Sequence, residues 1–360
     1  MPMAGVRKIA VLRANGIGDF VFALPALESL RCAYPESEIT LLGAEWHRDF
    51  LAGRPGPIDR VVVVPRVPGV RGTPDDSDDD ATVSAFFEEM RAEQFDLAVQ
   101  LHGGGRNSNP LILRLGARLT VGMQTPDAPP LDRSLPYCYW QPEVSRYLEV
   151  VRLAAARPVA IEPSIAVTQR DLDESMEVVP SDERKIVVLH PGASDPRRRW
   201  PASKFGYVAS RIAQLGARVM IVGGDSEIDL AEAVVASSNV PVQSLAGSLT
   251  LQQLTGLLAR SALVIGNDSG PVHLAEALGT PTVGIYWCGN VVNGGPMMRE
   301  WHRVAISWRL HCPACGTHTI SDTCQHQQSF VADVPVEDVL APAFELLDRS
   351  AAARPRSVCR

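Results

Sequence analysis

One carboxylate near the start of the chain, Asp19, has the setting of a general base. It ends the glycine-rich turn Gly16–Asp19, which follows the apolar run Lys8–Leu12. A carboxylate at the end of a buried strand can take a proton from a hydroxyl group that binds there. The alternative is that Asp19 only caps the following helix. Because position 21 is Val21, the G-x-G-x-x-G fingerprint is incomplete, which argues against a dinucleotide-binding dehydrogenase.

A second segment joins a glycine-bearing turn to three consecutive arginines. The turn, His190–Ser194, follows an apolar run, and the arginines come shortly after it. Guanidinium and backbone N–H groups both bind phosphate oxygens. A solvated charge run is the alternative, but Trp200 directly after the arginines favours a segment held against the domain. The predicted anion-binding residues are His190, Gly192, Ser194, Arg197, Arg198 and Arg199.

The stretch 263–278, LVIGNDSGPVHLAEAL, predicts a buried strand, a polar turn and a helix. Pro271 suits the first turn of a helix, where its missing N–H has no cost. A helix N-terminus attracts anions through its dipole and its free N–H groups. The alternative is an ordinary turn capped by Asp268 or Ser269. The candidate site residues are Asp268, Ser269, Gly270 and His273.

Two further strand ends carry polar residues. The segment 223–227, GGDSE, follows the apolar run Arg218–Val222, and its acid Glu227 could accept hydrogen bonds from a ribose. Capping of the next helix by Asp225 or Ser226 is equally consistent with this pattern. In the first half, the segment 102–107, HGGGRN, follows another apolar run. Its glycines allow close approach of a sugar, and its polar candidates are His102, Arg106 and Asn107. The alternative is a strand-to-helix turn with Asn107 or Ser108 as the helix N-cap.

A cysteine group near the C-terminus has residue types that bind zinc. The C-x2-C pair Cys312 and Cys315 is followed by Cys324 and His326. Because the second half of the pattern is irregular, free thiols are the favoured alternative. The seven cysteines are otherwise scattered, which does not indicate a disulfide framework in a chain of 360 residues.

Buried strand patterns alternate with helical patterns in both halves of the chain. This alternation predicts parallel sheets with helices on both faces. Weaker periodicity with more proline and charge separates the halves. We therefore expect an α/β protein with two doubly wound, Rossmann-like domains facing a cleft, and ligands at the carboxyl ends of the strands. The predicted divisions are a first domain 1–160, a linker 161–184, a second domain 185–335, and a C-terminal helix and tail 336–360 that packs back on the first domain.

Composition excludes several classes of protein. The chain is 46% hydrophobic and 21% charged, with a formal net charge of −7, which does not suit a nucleic-acid-binding protein. No apolar run reaches the length of about 18 residues that a membrane span needs. The N-terminus enters a strand directly and has no signal-peptide pattern. We therefore expect a cytoplasmic protein.

The motifs together resemble the ADP-heptose:lipopolysaccharide heptosyltransferase family, glycosyltransferase family 9. The opening segment 11–43 is similar to the family's first strand, G-D turn and P-A-L helix. The segments DLAVQLHGGGRNS, VVLHPGAS and VIGNDSGPVHLAEALGTPTVGIYW are similar to three further family motifs, and CPAC…C is similar to a cysteine motif of many members. The resemblance covers about positions 7 to 340.

This resemblance implies a GT-B fold and an inverting, metal-independent transfer from a nucleotide sugar, with ADP-heptose as donor. It implies that Asp19 is the base and that Arg198 stands where the family has a phosphate-binding lysine, a role that Arg197 or Arg199 could take instead. The first domain would bind a saccharide acceptor through His102, Arg106 and Asn107. The implied donor-binding residues are Gly18, His190, Gly192, Ser194, Arg197, Arg199, Glu227, Leu249, Asp268, Ser269, Gly270 and His273.

Two other functions stay open at this point. The first is a transferase of the same fold that uses another nucleotide sugar on an acceptor other than lipopolysaccharide. The second is a non-catalytic nucleotide-sugar-binding protein, against which the carboxylate of Asp19 argues. We expect a monomer with no required cofactor, no nucleic-acid partner and no transmembrane segment, and we leave peripheral contact with a membrane open.

Overall fold

The computed structural model describes residues 3–72 and 75–349, and the chain divides into two compact units, Met1–Ala166 and Val167–Arg360. Each unit contains one six-stranded sheet whose strand pairs are all parallel. The predicted class, two doubly wound α/β units, is confirmed. The predicted tail beyond Arg349 lies outside the described residues.

In the first unit the sheet has the strand order β3-β2-β1-β4-β5-β6. The central strands β1 and β4 pair with Leu12 opposite Gln100, so the loops after these two strands leave the same sheet edge. The elements are β1 Lys8–Leu12, α1 Ile17–Ala33, β2 Glu38–Gly43, α2 Glu45–Leu51, β3 Arg60–Val63, α3 Asp80–Ala92, β4 Leu97–Gln100, α4 Ser108–Arg114, β5 Leu119–Gln124, β6 Arg133–Pro136 and α5 Glu143–Leu153.

The second unit repeats this topology with the order β12-β11-β10-β7-β8-β9. Its central strands β7 and β10 pair with His190 opposite Gly266. The elements are α6 Gln169–Val178, β7 Ile186–His190, α7 Ala202–Ala213, β8 Arg218–Ile221, α8 Ile228–Ala236, β9 Gln243–Ser244, α9 Leu251–Arg260, β10 Leu263–Asn267, α10 Gly270–Ala277, β11 Thr282–Trp287, α11 Cys288–Gly294, β12 His302–Ser307 and α12 Glu337–Arg349.

Continuous burial explains why the central strands could be read from the sequence. Every residue of β7 and β10 is buried, because helices cover both faces of a doubly wound parallel sheet. Such strands are unbroken apolar runs instead of alternating patterns. In each unit, the polar residues that follow these runs therefore lie at the carboxyl edge of the sheet.

The predicted linker 161–184 is corrected by the structure, because it contains helix α6. The Thr168 hydroxyl and the Asp171 carboxylate form a reciprocal capping box at its start. The helix packs closely on α9, where a Cβ at Gly256 would lie 1.9 Å from the carbonyl oxygen of Asp171. The division of the chain at Ala166 therefore leaves most of the expected linker inside the second unit.

Helix α12 also differs from the expectation that it packs on the first domain. It contacts strands β10, β11 and β12, and its apolar face lies in the core of the second unit. Leu346 is fully buried there, and burial of a leucine side chain stabilises the folded state by about 1.5–3 kcal/mol. Like the other helices in the described part of the chain, α12 does not combine the length and the apolar character that crossing a membrane requires.

Candidate functional sites in the two units

The carboxyl end of β10 holds a buried acid between two basic groups. The Asp268 carboxylate accepts a hydrogen bond from Nη1 of Arg198 at 2.9 Å and contacts Nε2 of His273 at 3.0 Å. Nδ1 of His273 lies 3.4 Å from the carboxylate of Glu276. Three residues predicted separately from two motifs thus form one network, and Glu276 extends it.

In this network, contacts between neighbouring groups shift the pKa values in the direction opposite to the effect of burial. Burial by itself lowers the pKa of His273, but its hydrogen bonds to Asp268 and Glu276 outweigh that effect and raise the pKa to about 10. Burial likewise raises the pKa of Asp268, but His273 and Arg198 lower it overall. At neutral pH the network therefore contains the imidazolium of His273 beside the ionised carboxylate of Asp268.

The three consecutive arginines have different partners. Arg198 donates to Asp268 from Nη1 and to the Ser194 hydroxyl from Nη2, the latter at 2.8 Å. Its side chain is 24% exposed. Arg197 pairs with Asp195 through Nε and Nη2, and its pKa is raised chiefly by this hydrogen bond. Arg199 donates from Nε to the carbonyl oxygen of Ala193 at 2.9 Å. Only Arg198 joins the turn to the acid that follows β10.

His190, at the end of β7, connects the segment after β8 with the turn after β10. Its ring nitrogens lie 2.8 Å from the Ser269 hydroxyl and 3.2 Å from the Glu227 carboxylate. Burial raises the pKa of Glu227, but the hydrogen bond and charge of His190 lower it overall. A Cβ at Gly192 would lie 1.7 Å from Oε1 of Glu227, so only glycine leaves room for this carboxylate.

The N-terminus of α10 has no side-chain cap. The Ser269 hydroxyl, at the N-cap position, donates to the carbonyl oxygen of Asn267 at 2.9 Å. Ser269 therefore occupies the N-cap position, as the alternative reading expected, but neither it nor Asp268 makes a capping hydrogen bond. This end of the helix, which starts at Gly270, retains the partial positive charge that favours an anion.

Sequence reasoning missed Asn267, the last residue of β10. Its side chain is fully buried, and it accepts a hydrogen bond from the backbone N–H of Trp200 at 3.0 Å. It also donates to the carbonyl oxygen of Pro191 at 2.6 Å. An asparagine that ends an unbroken apolar strand was the available signal. Leu249, one of the implied donor-binding residues, is half-buried between β9 and α9 and is not a member of this network.

In the first unit, Asp19 lies in the first turn of α1 and is held by Arg13. The buried guanidinium of Arg13 donates from Nη2 to Oδ1 of Asp19 and from Nε to its carbonyl oxygen, each at 2.9 Å. The N-cap of α1 is Gly16, and no side chain caps it. Asp19 is therefore not the helix cap, and its side chain is 42% exposed. Gly18, expected among the donor-binding residues, lies in the same turn.

Arg13 also contacts Glu143 and Tyr147, two residues that were not predicted from the sequence. Glu143 accepts from Nη2 of Arg13 at 3.2 Å, and the guanidinium lies 4.9 Å from the centre of the Tyr147 ring. The Tyr147 hydroxyl also bonds to Glu143. Burial lowers the pKa of Arg13, but electrostatic interactions with Tyr147, Asp19 and Glu143 raise it overall, so the guanidinium is a permanent cation.

The three predicted acceptor residues do not form one cluster. His102 is only 7% exposed, and its Nδ1 accepts from the backbone N–H of Ala14 at 3.3 Å. Burial and the charge of Arg13 lower its pKa to about 3, so it is a neutral residue of the protein interior. Arg106, in contrast, is 75% exposed and lies 3.4 Å from Asp127. Asn107 is exposed at the N-cap position of α4 without capping it.

The comparisons with known proteins agree with the two-sheet architecture of this chain and with its sequence motifs. The family model for Glycosyltransferase family 9 (heptosyltransferase) matches residues 83–321. The chain is similar to lipopolysaccharide heptosyltransferase 2 of Salmonella typhimurium, at 23% identity over 360 residues, covering 94% of this chain and 98% of that protein.

Solved structures share the fold. The glycosyl transferase family 9 structure from Veillonella parvula has a TM-score of 0.78 at 22% identity, covering 97% of this chain and 99% of that one. The E. coli ADP-heptose lps heptosyltransferase II has a TM-score of 0.74 at 20% identity, covering 96% and 100%. These similarities confirm the predicted GT-B class.

Proposed function

Because the chain belongs to glycosyltransferase family 9, the heptosyltransferase family, we propose that it transfers a heptose from ADP-heptose to a hydroxyl of a saccharide acceptor. We further propose that the transfer inverts the anomeric carbon and that no metal ion acts on the diphosphate. The donor is the one named for the similar E. coli enzyme. The second unit would bind it, and the first unit would bind the acceptor.

The observation that carries this proposal is the position of Arg198 between Asp268 and Ser194. Two of its N–H groups are used to fix the guanidinium, while the side chain remains partly exposed. A fixed cation beside the open N-terminus of α10 is suited to the charge that develops on a leaving diphosphate. Preorganised donors of this kind contribute roughly 3 kcal/mol each to transition-state stabilisation.

Asp19 would act as the general base in the first unit. It would take the proton of the acceptor hydroxyl, whose oxygen then attacks the anomeric carbon on the face opposite the leaving ADP. The two hydrogen bonds from Arg13 hold the carboxylate in one orientation, which places the base before the acceptor binds. Because the side chain of Asp19 is partly exposed, the carboxylate oxygen that Arg13 does not contact remains accessible to an acceptor.

Glu227 would recognise the ribose of the donor. Its ionised carboxylate follows β8, accepts from the backbone N–H of Gly224 at 2.9 Å, and contacts His190. An acid at this place in a doubly wound sheet suits the hydroxyl groups of a ribose.

A donor comparison followed by a transfer assay tests the proposal. Calorimetry should show ADP binding more tightly than UDP or GDP. ADP-heptose should then add one heptose to a member of a panel of saccharide acceptors, detected as a mass increase, with the new linkage inverted by NMR. Added Mg²⁺ should leave kcat unchanged. Transfer only from another nucleotide sugar would contradict the donor assignment, and binding without any transfer would favour a non-catalytic protein.

A further inference from the structure

Four side chains near the C-terminus converge in a way that the proposed reaction does not use. The sulfur atoms of Cys312, Cys315 and Cys324 and a ring nitrogen of His326 all lie within 4.8 Å of one another. They belong to one stretch, residues 308–330, which we call the cysteine segment. This is the group among the described residues whose side chains could hold a metal ion together.

The backbone of the cysteine segment brings the first two sulfur atoms together. The N–H of Cys312 donates to the carbonyl oxygen of Thr317 at 2.8 Å, and the N–H of Gly316 donates to that of Cys312 at 2.9 Å. Gly316 has a φ of +74°, which non-glycine residues rarely adopt. This tight turn closes directly after Cys315, so the C-x2-C pair is preorganised by hydrogen bonds that involve no side chain.

The ligand types favour zinc over a disulfide or an iron–sulfur cluster. Three cysteines and one histidine are a usual ligand set of structural zinc, whereas iron–sulfur clusters are commonly held by four cysteines. With Zn–S bonds of about 2.3 Å, tetrahedral ligands lie about 3.8 Å apart, so small side-chain rotations would suffice here. One disulfide, in contrast, would leave the third cysteine and His326 unused.

The cysteine segment is attached to the turn that carries the three arginines. The N–H of Phe330 donates to the carbonyl oxygen of Arg197 at 2.7 Å, and the Ser329 hydroxyl donates to that of Arg199 at 2.6 Å. The guanidinium of Arg197 lies 5.4 Å from the centre of the Phe330 ring. Three thiolates around a zinc ion carry a net negative charge, which the cation of Arg197 would offset.

We propose that Cys312, Cys315, Cys324 and His326 bind one zinc ion, and that this ion holds the cysteine segment against the turn carrying Arg198. The four protein ligands fill a tetrahedral shell, so the ion has a structural role and no open position for a substrate. Its effect on donor binding rests on the proposed function of Arg198, whereas the metal site itself does not.

Metal analysis of the purified full-length protein tests the site. Protein purified in reductant without chelator should contain about one zinc ion per chain by mass spectrometry, and replacement by Co²⁺ should give the visible absorption of tetrahedral thiolate-bound cobalt. Cys315→Ser and Cys324→Ser should each lower the zinc content at least tenfold, and His326→Asn should speed zinc loss to a chelating dye. Cys32→Ser and Cys138→Ser, which alter exposed cysteines outside the segment, should retain it.

Three results would overturn the site. These are wild-type protein with less than about a tenth of an equivalent of metal after reconstitution, full zinc in both Cys315→Ser and Cys324→Ser, or stoichiometric iron in place of zinc. Mapping of a Cys312–Cys315 disulfide in the metal-free native protein would also count against it.

Calorimetry with ADP tests the consequence for the arginine turn. Zinc-depleted wild type and Cys324→Ser should bind ADP at least fivefold more weakly, and restoring zinc to the wild type should restore the affinity. Equal ADP affinity with and without zinc would overturn the link to the turn. Wild type that carries zinc but binds no ADP would contradict the proposed function and leave the metal site standing.

Discussion

Arg198 donates to the Asp268 carboxylate across 2.9 Å, which joins the turn after β7 to the residue that follows β10. These two strands are neighbours at the centre of the second sheet. The order of strands reverses between them, and ligands of doubly wound sheets bind at this place. The contact therefore fixes a cation at the position where the topology leads us to expect an anionic ligand.

Removal of the Arg198 side chain should weaken ADP binding by about 1.5–3 kcal/mol, the contribution of a hydrogen bond to a charged group. Arg198→Lys should recover part of this loss, because an ammonium group keeps the charge but not the forked geometry. Arg211→Ala, an exposed arginine on α7, is the matched control and should bind ADP like the wild type. Calorimetry measures all three, and unchanged affinity in Arg198→Ala would remove this residue from the donor site.

The sequence allowed the network of the second unit to be predicted in large part, because its members follow unbroken apolar strands. His190 ends such a strand, Asp268 and Glu227 come soon after one, and parallel topology brings the ends of neighbouring strands together. The contacts of Arg13 could not be predicted from the sequence in the same way. Its partner Glu143 is 130 residues away in the chain and lies on a helix, so no local pattern connects the two.

Asp19→Asn should lower turnover by roughly 100-fold or more while leaving ADP affinity nearly unchanged. The amide keeps the shape of the side chain but cannot accept the acceptor's proton at neutral pH. Steady-state kinetics and calorimetry together separate the two effects. Glu36→Gln, at an exposed site after α1, should behave like the wild type. Turnover within about threefold of the wild type in Asp19→Asn would mean that another group is the base.

Arg13→Lys should lower kcat through the orientation of Asp19, without a change in ADP affinity. A lysine keeps the charge but cannot reproduce the contacts with Asp19, Leu101 and Glu143 together. If Arg13 acts only by positioning the base, its effect on kcat should nearly vanish in the Asp19→Asn background. Additive losses in this double-mutant cycle would instead assign Arg13 a role independent of Asp19.

Arg106→Ala should raise the Michaelis constant for the acceptor and leave the dissociation constant for ADP unchanged. Arg106 is exposed on the loop after β4, at the same edge of the sheet as the turn containing Asp19. Arg118→Ala, another exposed arginine of the first unit, is the control and should have no effect on the acceptor constant. Loss of ADP binding in Arg106→Ala at unchanged stability would place this loop with the donor instead.

His273 should make the stability of the second unit depend on pH between about 6.5 and 10. Its pKa is about 10 in the folded protein and about 6.5 in an unfolded chain, so folding favours the protonated form. This contribution is complete below pH 6.5 and is lost as the pH rises through 10, with a slope of up to about 1.4 kcal/mol per pH unit. His273→Gln cannot be protonated, so the difference in unfolding free energy between wild type and variant should shrink steadily over this range. His311→Gln, at an exposed histidine, should follow the wild type. Parallel stability profiles for wild type and His273→Gln from pH 6.5 to 10, measured by calorimetry, would show that His273 is not an imidazolium in the native protein.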